Sequence, residues 1–153
     1  MRTKNQIIIE QLDRKSDLFI EASKMTVPSN GWIHLIRKSL NMTLEQLGKK
    51  LGKSKQGVRA IEESEKNQAI SIKSLKEVAK ALDMQLVYGF VSNSGSFSNY
   101  IDIKAKELAT KIVLRTHQTM SLENQGNSKE IIEKAIQDLT VEIKQEMKRS
   151  LWD

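Results

Sequence analysis

Apolar positions recur at helical spacing along most of this chain, and short polar breaks divide them into segments. Across residues 4–25, Ile8, Leu12 and Phe19 lie close to one stripe, with Lys15 between them and Ile9 and Ile20 near its edge. That pattern predicts one amphipathic helix, which either packs on the domain after it or reaches toward a second copy or another partner. Val27, Pro28, Ser29, Asn30 and Gly31 end it. Trp32, Ile33, Leu35, Ile36 and Leu40 predict a second helix, with Trp32 as a core anchor and His34 on the surface or half-buried. Leu44, Leu47 and Leu51 share one face of a third helix, 44 to about 51, and Val58 and Ile61 one face of a fourth, 55 to about 63. Thr43 and Ser54 can cap these two helices by accepting backbone N–H bonds. Gly52 can end the first in the left-handed conformation. A polar loop over 63–69 follows, then a helix capped by Ser71 with Leu75, Val78, Ala79 and Leu82 as its stripe.

The pattern changes at 84–91, which is short, apolar and rich in β-formers and so reads as a strand. A lone strand either pairs with its own copy in a second subunit, giving a homodimer, or is an extended linker packed on the domain. Residues 92–98 read as a flexible hinge by their Ser- and Gly-rich composition. Beyond it, Ile101, Ala105, Leu108 and Ile112 mark a helix over about 99–123, and Gly126 lies in a break. Ile132, Ala135, Ile136, Leu139, Ile143 and Met147 mark a final helix, 129 to about 151, whose near-balanced charge suits protein contact rather than a second DNA surface. The expected fold is mainly α: an N-terminal helix or arm (1–30), a helix-turn-helix domain (31–92) with a short strand at 84–91, and a C-terminal helical region (93–153).

The two short helices around Gly52 carry the functional expectation, because a helix-turn-helix puts its second helix into the DNA major groove. From Arg37 to Arg59 the chain has Arg37, Lys38, Lys49, Lys50, Lys53, Lys55 and Arg59 against Glu45 alone, an excess equal to the net charge of +6 of the whole chain. Positive charge gathered on that motif favours double-stranded DNA over a membrane surface. At the start of the second helix Lys55, Gln56 and Arg59 are placed to read base edges: Gln pairs bidentately with adenine, and Lys or Arg with guanine. Thr43, Lys49, Lys50, Lys53 and Ser54 suit phosphates, which set register. Gly57 leaves the approach of this helix unobstructed.

Composition removes other classes. The 153 residues hold one domain, or a small domain with an appendage, and the single proline suits a helical protein. There is no cysteine, so no disulfide framework or cysteine zinc site, and the two histidines, His34 and His117, lie far apart. No metal or cofactor is expected, and no nucleophile–base pair or phosphate-cradling loop suggests an enzyme. No apolar run approaches the roughly 20 residues of a membrane span, and Glu10, Asp13 and Asp17 interrupt anything like a signal peptide. A cytoplasmic location is the default.

Two resemblances add to this reading. Leu47-Gly48, Leu51-Gly52, Ser54, Val58 and Ile61-Glu62 resemble the Cro/phage-repressor type of helix-turn-helix, over about a third of the chain. Segments 31–43, 86–91, 119–125 and 151–153, in that order, resemble the bacterial family called mobile mystery protein A. That family is usually encoded beside a protein with a Fic domain, and Fic enzymes commonly transfer AMP from ATP to a target hydroxyl. Many are held off by an inhibitory helix with the pattern Ser/Thr-x-x-x-Glu-Gly/Asn, which Thr119-Met120-Ser121-Leu122-Glu123-Asn124 fits. Thr119 and Glu123, at i and i+4, share a helix face that continues the stripe of the preceding helix. The resemblance implies an antitoxin whose Glu123 pairs with the toxin arginine meant for the ATP γ-phosphate, a charge-assisted pair, while Thr119 helps fix the helix. On this reading the partners are a Fic-domain toxin, an operator and a second copy. The alternative is a plain dimeric transcriptional repressor whose C-terminal helices only dimerise.

Overall fold

The computed structural model describes residues 1–121 and 129–153, with side chains described through His117 and again from Lys129. Among the described residues the chain is helical, as the periodicity predicts: α1 (Lys4–Ser23), α2 (Trp32–Ser39), α3 (Leu44–Leu51), α4 (Lys55–Lys66), α5 (Ile72–Ala81), α6 (Phe97–Ser121) and α7 (Lys129–Glu146), then a 3-10 turn (Arg149–Trp152). The chain divides into two compact units, Lys24–Tyr88 and a discontinuous one made of Met1–Ser23 with Gly89–Asp153. The first helix is therefore not a separate arm over 1–30, since α1 packs on α6.

In the unit Lys24–Tyr88, Ile33, Leu47, Val58 and Val78 form the buried core, one from each of four helices, with Leu44, Leu51, Ile61, Leu75 and Leu82 around it. These are the stripes the spacing predicts on α3, α4 and α5. On α2 the outcome differs. Trp32 is exposed and Ile33 takes the core position, because the residues in phase with Ile33 face inward, and Trp32 is one step off. Helix α4 also runs three residues past its expected end. There Glu65 has work to do: its Oε1 accepts the N–H of Ile33 at 2.8 Å and so caps α2 from a distance. Gly31 makes room for it, at φ 87° with a β-carbon position only 2.6 Å from that oxygen.

Residues 84–91 form no strand, and no strand occurs among the described residues. A strand needs a neighbour about 4.8 Å away to complete its hydrogen bonds, and the single chain supplies none. Met84 instead donates its N–H to the Ala79 carbonyl at the end of α5, and Lys76 Nζ sits 5.7 Å from the centre of the Tyr88 ring. The boundary between the two units falls inside this segment.

In the discontinuous unit, Ile101, Ala105 and Ala109 are buried along α6. Ile112, expected in the same stripe, is exposed. The last predicted helix stops at Glu146. Met147 turns to φ 45°, and the 3-10 turn that follows buries Leu151 and stacks Trp152 on Tyr100, ring centres 5.6 Å apart. Lys144 on α7 pairs with Asp102 on α6.

The stretch expected to be a free hinge is tied down. Asp13 on α1 accepts the N–H groups of Phe97 (2.6 Å) and Ser98 (3.2 Å) and the Ser98 hydroxyl (2.6 Å). The carboxylate thus caps the first turn of α6, whose N–H groups have no partner within the helix. Phe19 lies against Gly89 so closely that a β-carbon there would fall 2.7 Å from the ring. Desolvation pushes the Asp13 carboxyl up, but the hydrogen bonds from Ser98 and Phe97 outweigh it and leave the pKa below its ordinary value. A lowered carboxyl stabilises the fold above its unfolded pKa and loses that contribution as pH falls through the folded one. Asp13→Ala should destabilise this unit by about 1 kcal/mol, read as a shift of the urea midpoint that shrinks toward acid pH.

Candidate nucleic-acid interface

The surface expected to meet DNA is built on two capped helix starts and one glycine stop. Thr43 Oγ1 accepts the Gln46 N–H at 3.1 Å, and Gln46 Oε1 accepts the Thr43 N–H at 2.8 Å, a reciprocal capping box at the start of α3. Gly52 ends α3 at φ 66° and ψ 33°, the left-handed region. Ser54 Oγ accepts the Gly57 N–H at 3.0 Å and starts α4 two residues later. Thr43 and Ser54 therefore serve as caps, with each hydroxyl proton left to donate outward.

Lys49, Lys50, Lys53, Lys55, Gln56 and Arg59 are all exposed, as are Thr43 and Ser54. Lys55 and Arg59 are one helical turn apart on α4, with Gln56 beside them. Lys55 Nζ lies 3.5 Å from Glu45 Oε1, an exposed pair across the turn that holds the lysine only weakly. Arg59 lines a cleft with Asn30, Lys38, Glu63 and Lys66, and the buried Arg37 and Glu62 also line it. Lys66 joins this basic rim only because α4 runs further than its polar sequence suggested.

Arg37 does not belong to the solvated basic face. Its side chain is 7% exposed and that of Glu62 9%, and the two form a fork: Nε donates to Oε1 at 2.5 Å and Nη2 to Oε2 at 3.1 Å. Nη1 donates to the Met42 carbonyl at 3.0 Å, and His34 Nδ1 stands 3.0 Å from Glu62 Oε2. Burial raises the Glu62 pKa, but the hydrogen bonds and charges of Arg37 and His34 more than offset it and hold the carboxyl below its ordinary value. One ion pair thereby ties α2, the turn before α3, and α4 together. The sequence did carry a signal for it. Arg37 is four residues from Ile33 and Glu62 four from Val58, so each charge sits in phase with a core residue.

With this geometry in view, comparison with known proteins is decisive for one part of the chain: the helix-turn-helix family matches over residues 33–88. Residues 33–88 are a helix-turn-helix domain. It is of the Cro/phage-repressor type, a DNA-binding family rather than a catalytic one. The match ends at Tyr88, where the compact unit also ends. No curated protein and no solved structure matches the chain. Among the described residues no helix is long and apolar enough to cross a membrane.

Thr119 falls within α6, but its side chain, together with Glu123 and Asn124, lies outside the described residues.

Proposed function

We propose that this protein is an antitoxin that represses its own operon and restrains a Fic-type toxin. The observation that carries the DNA half is the start of α4. Lys55, Gln56 and Arg59 project there beside two capped helix ends, with Lys49, Lys50 and Lys53 ranged nearby for the backbone of the same duplex. Each bidentate base contact discriminates by about 1–3 kcal/mol, whereas the phosphate contacts hold any sequence and weaken as salt rises. An operator read as two half-sites calls for two copies of the chain.

Changing Gln56 and Arg59 together to alanine should reduce the preference for the promoter of its own operon over unrelated DNA at least tenfold in a gel shift, with non-specific binding kept. Preference equal to that of the parent would remove α4 as the recognition helix.

The toxin half is supported by the sequence resemblance and by the Thr119 to Asn124 pattern. The C-terminal helices dock on the toxin, and Glu123 occupies its arginine, so that ATP is not held with its γ-phosphate in the productive position. Co-expressed with the neighbouring Fic protein, the parent chain should co-purify with it and suppress AMP transfer, and Glu123→Ala should release transfer while leaving the complex intact. Inhibition unaltered by Glu123→Ala leaves the simpler reading, a dimeric repressor whose C-terminal helices serve only assembly.

A further inference from the structure

We propose that a second copy of this chain docks through the unit of residues 1–23 and 89–153, with the open face of α1 laid on the outer face of α7 of the other copy. The inference deepens the operator-binding reading, since it supplies the surface for the two copies on which that reading rests.

Helix α1 does not bury the face its sequence makes most apolar. It packs with Ile9, Asp13, the buried Ser16 and Ile20, and of the stripe of Ile8, Leu12 and Phe19 only Phe19 is covered, against Gly89. Ile8 is left 49% and Leu12 39% exposed, and Ile7 and Leu18 are exposed beside them. At about 100° per residue, Lys4 and Lys15 fall within this open sector. The four carboxylates of the helix, Glu10, Asp13, Asp17 and Glu21, all fall outside it. The open face is therefore apolar and positive.

Helix α7 offers the complement. Its inner side, Ile132, Ile136, Leu139 and Ile143, is half-buried. On the outer side Ile131 is 57% and Val141 54% exposed, among Glu130, Asp138 and Glu142 with Lys134 as the one base. That face carries two exposed apolar side chains and a net negative charge. The two helices also match in length, 20 residues against 18, or about 30 and 27 Å at 1.5 Å per residue.

These charges choose between pairings. Two α1 faces together would oppose lysines to lysines, and two α7 faces carboxylates to carboxylates. Crossing α1 with α7 opposes unlike charges, and a two-fold axis repeats the contact with the roles exchanged. Burying the isoleucines, leucines and valine drives the association, and the charges fix which faces meet.

The sedimentation of the full-length chain tests this. The parent should be a dimer. Lys4→Glu with Lys15→Glu should raise the dimer dissociation constant at least tenfold, and so should Glu130→Lys, Asp138→Lys and Glu142→Lys together. An equimolar mixture of the two variants should restore the dimer, because each reversed face then meets its complement. Zero-length carboxyl–amine cross-linking of mixed heavy- and light-isotope parent chains should join Lys4 or Lys15 of one copy to Glu130, Asp138 or Glu142 of the other, without reliance on any variant. A parent dimer that ignores both reversals and gives none of these cross-links overturns this surface, and leaves binding of the operator by a dimer standing. Variants that separate but do not recombine, with no such cross-link, also overturn it. A monomeric parent overturns this surface and the dimeric reading together.

Discussion

Replacing Glu62 with alanine is expected to cost the helix-turn-helix unit about 3–5 kcal/mol, the range for removing one partner of a buried ion pair. The reason lies with the residue that stays behind. Arg37, with a side chain 7% exposed, loses both acceptors of its fork and keeps only neutral contacts, the Met42 carbonyl and, at 3.4 Å, His34 Nδ1. Its charge is then buried without a counter-ion, and the unit must open to hydrate it. Urea unfolding followed by circular dichroism should show the loss directly. The parent should also show its own pH dependence. Because the Glu62 carboxyl is held below its ordinary value, its stabilisation is present above the unfolded pKa and disappears as pH falls through the folded one. The Glu62→Ala chain should lack that part of the acid sensitivity. Replacing Arg37 and Glu62 together by methionine and leucine should recover much of the stability, since well-packed apolar pairs can substitute for buried ionic ones.

The second large effect is expected at Gly48. A β-carbon there would lie 2.5 Å from the Lys53 carbonyl oxygen, the backbone of the turn itself. Gly48 also gives its own carbonyl to the N–H groups of Gly52 and Lys53. Gly48→Ala therefore pushes the turn outward and carries the start of α4 with it. We expect about 1–3 kcal/mol of destabilisation, the usual cost of overpacking. Operator affinity should fall about tenfold or more beyond it, because a displaced α4 forfeits a base contact worth about 1–3 kcal/mol. Gly52 makes the control. A β-carbon there meets nothing within 4 Å, and its φ of 66° is a conformation that asparagine tolerates. Gly52→Asn should bind operator nearly as the parent does, measured in the same gel shift.

These two sites show where the sequence was informative and where it fell short. The core of the helix-turn-helix unit was legible because Leu47, Val58 and Val78 announce themselves by spacing, and the caps because Thr43, Ser54 and Ser71 are residues with a short oxygen in the right place. The family match over 33–88 covers that legible part. Arg37 was misplaced because charge alone suggests solvent, and only its phase with Ile33 and the phase of Glu62 with Val58 argue otherwise. The segment 84–91 has the composition of a strand, yet a strand is a relation between two chains or two segments, and composition cannot supply the neighbour. The hinge at 92–98 was read from its serines and glycine, while what holds it, Asp13, lies 84 residues earlier than Phe97 in the chain. A contact of that separation leaves no local trace.

That separation has a consequence for how the protein is made. A chain grows from its first residue, and contiguous units close first. Residues 24–88 form such a unit and can assemble as soon as they are available. Helix α1 is synthesised before any of them, but the backbone groups that Asp13 holds, and the helix it rests on, come at residue 97 and later. The first helix of the chain thus waits through the folding of an entire DNA-binding unit, with Ile9, Phe19 and Ile20 in water, before the helix it rests on exists.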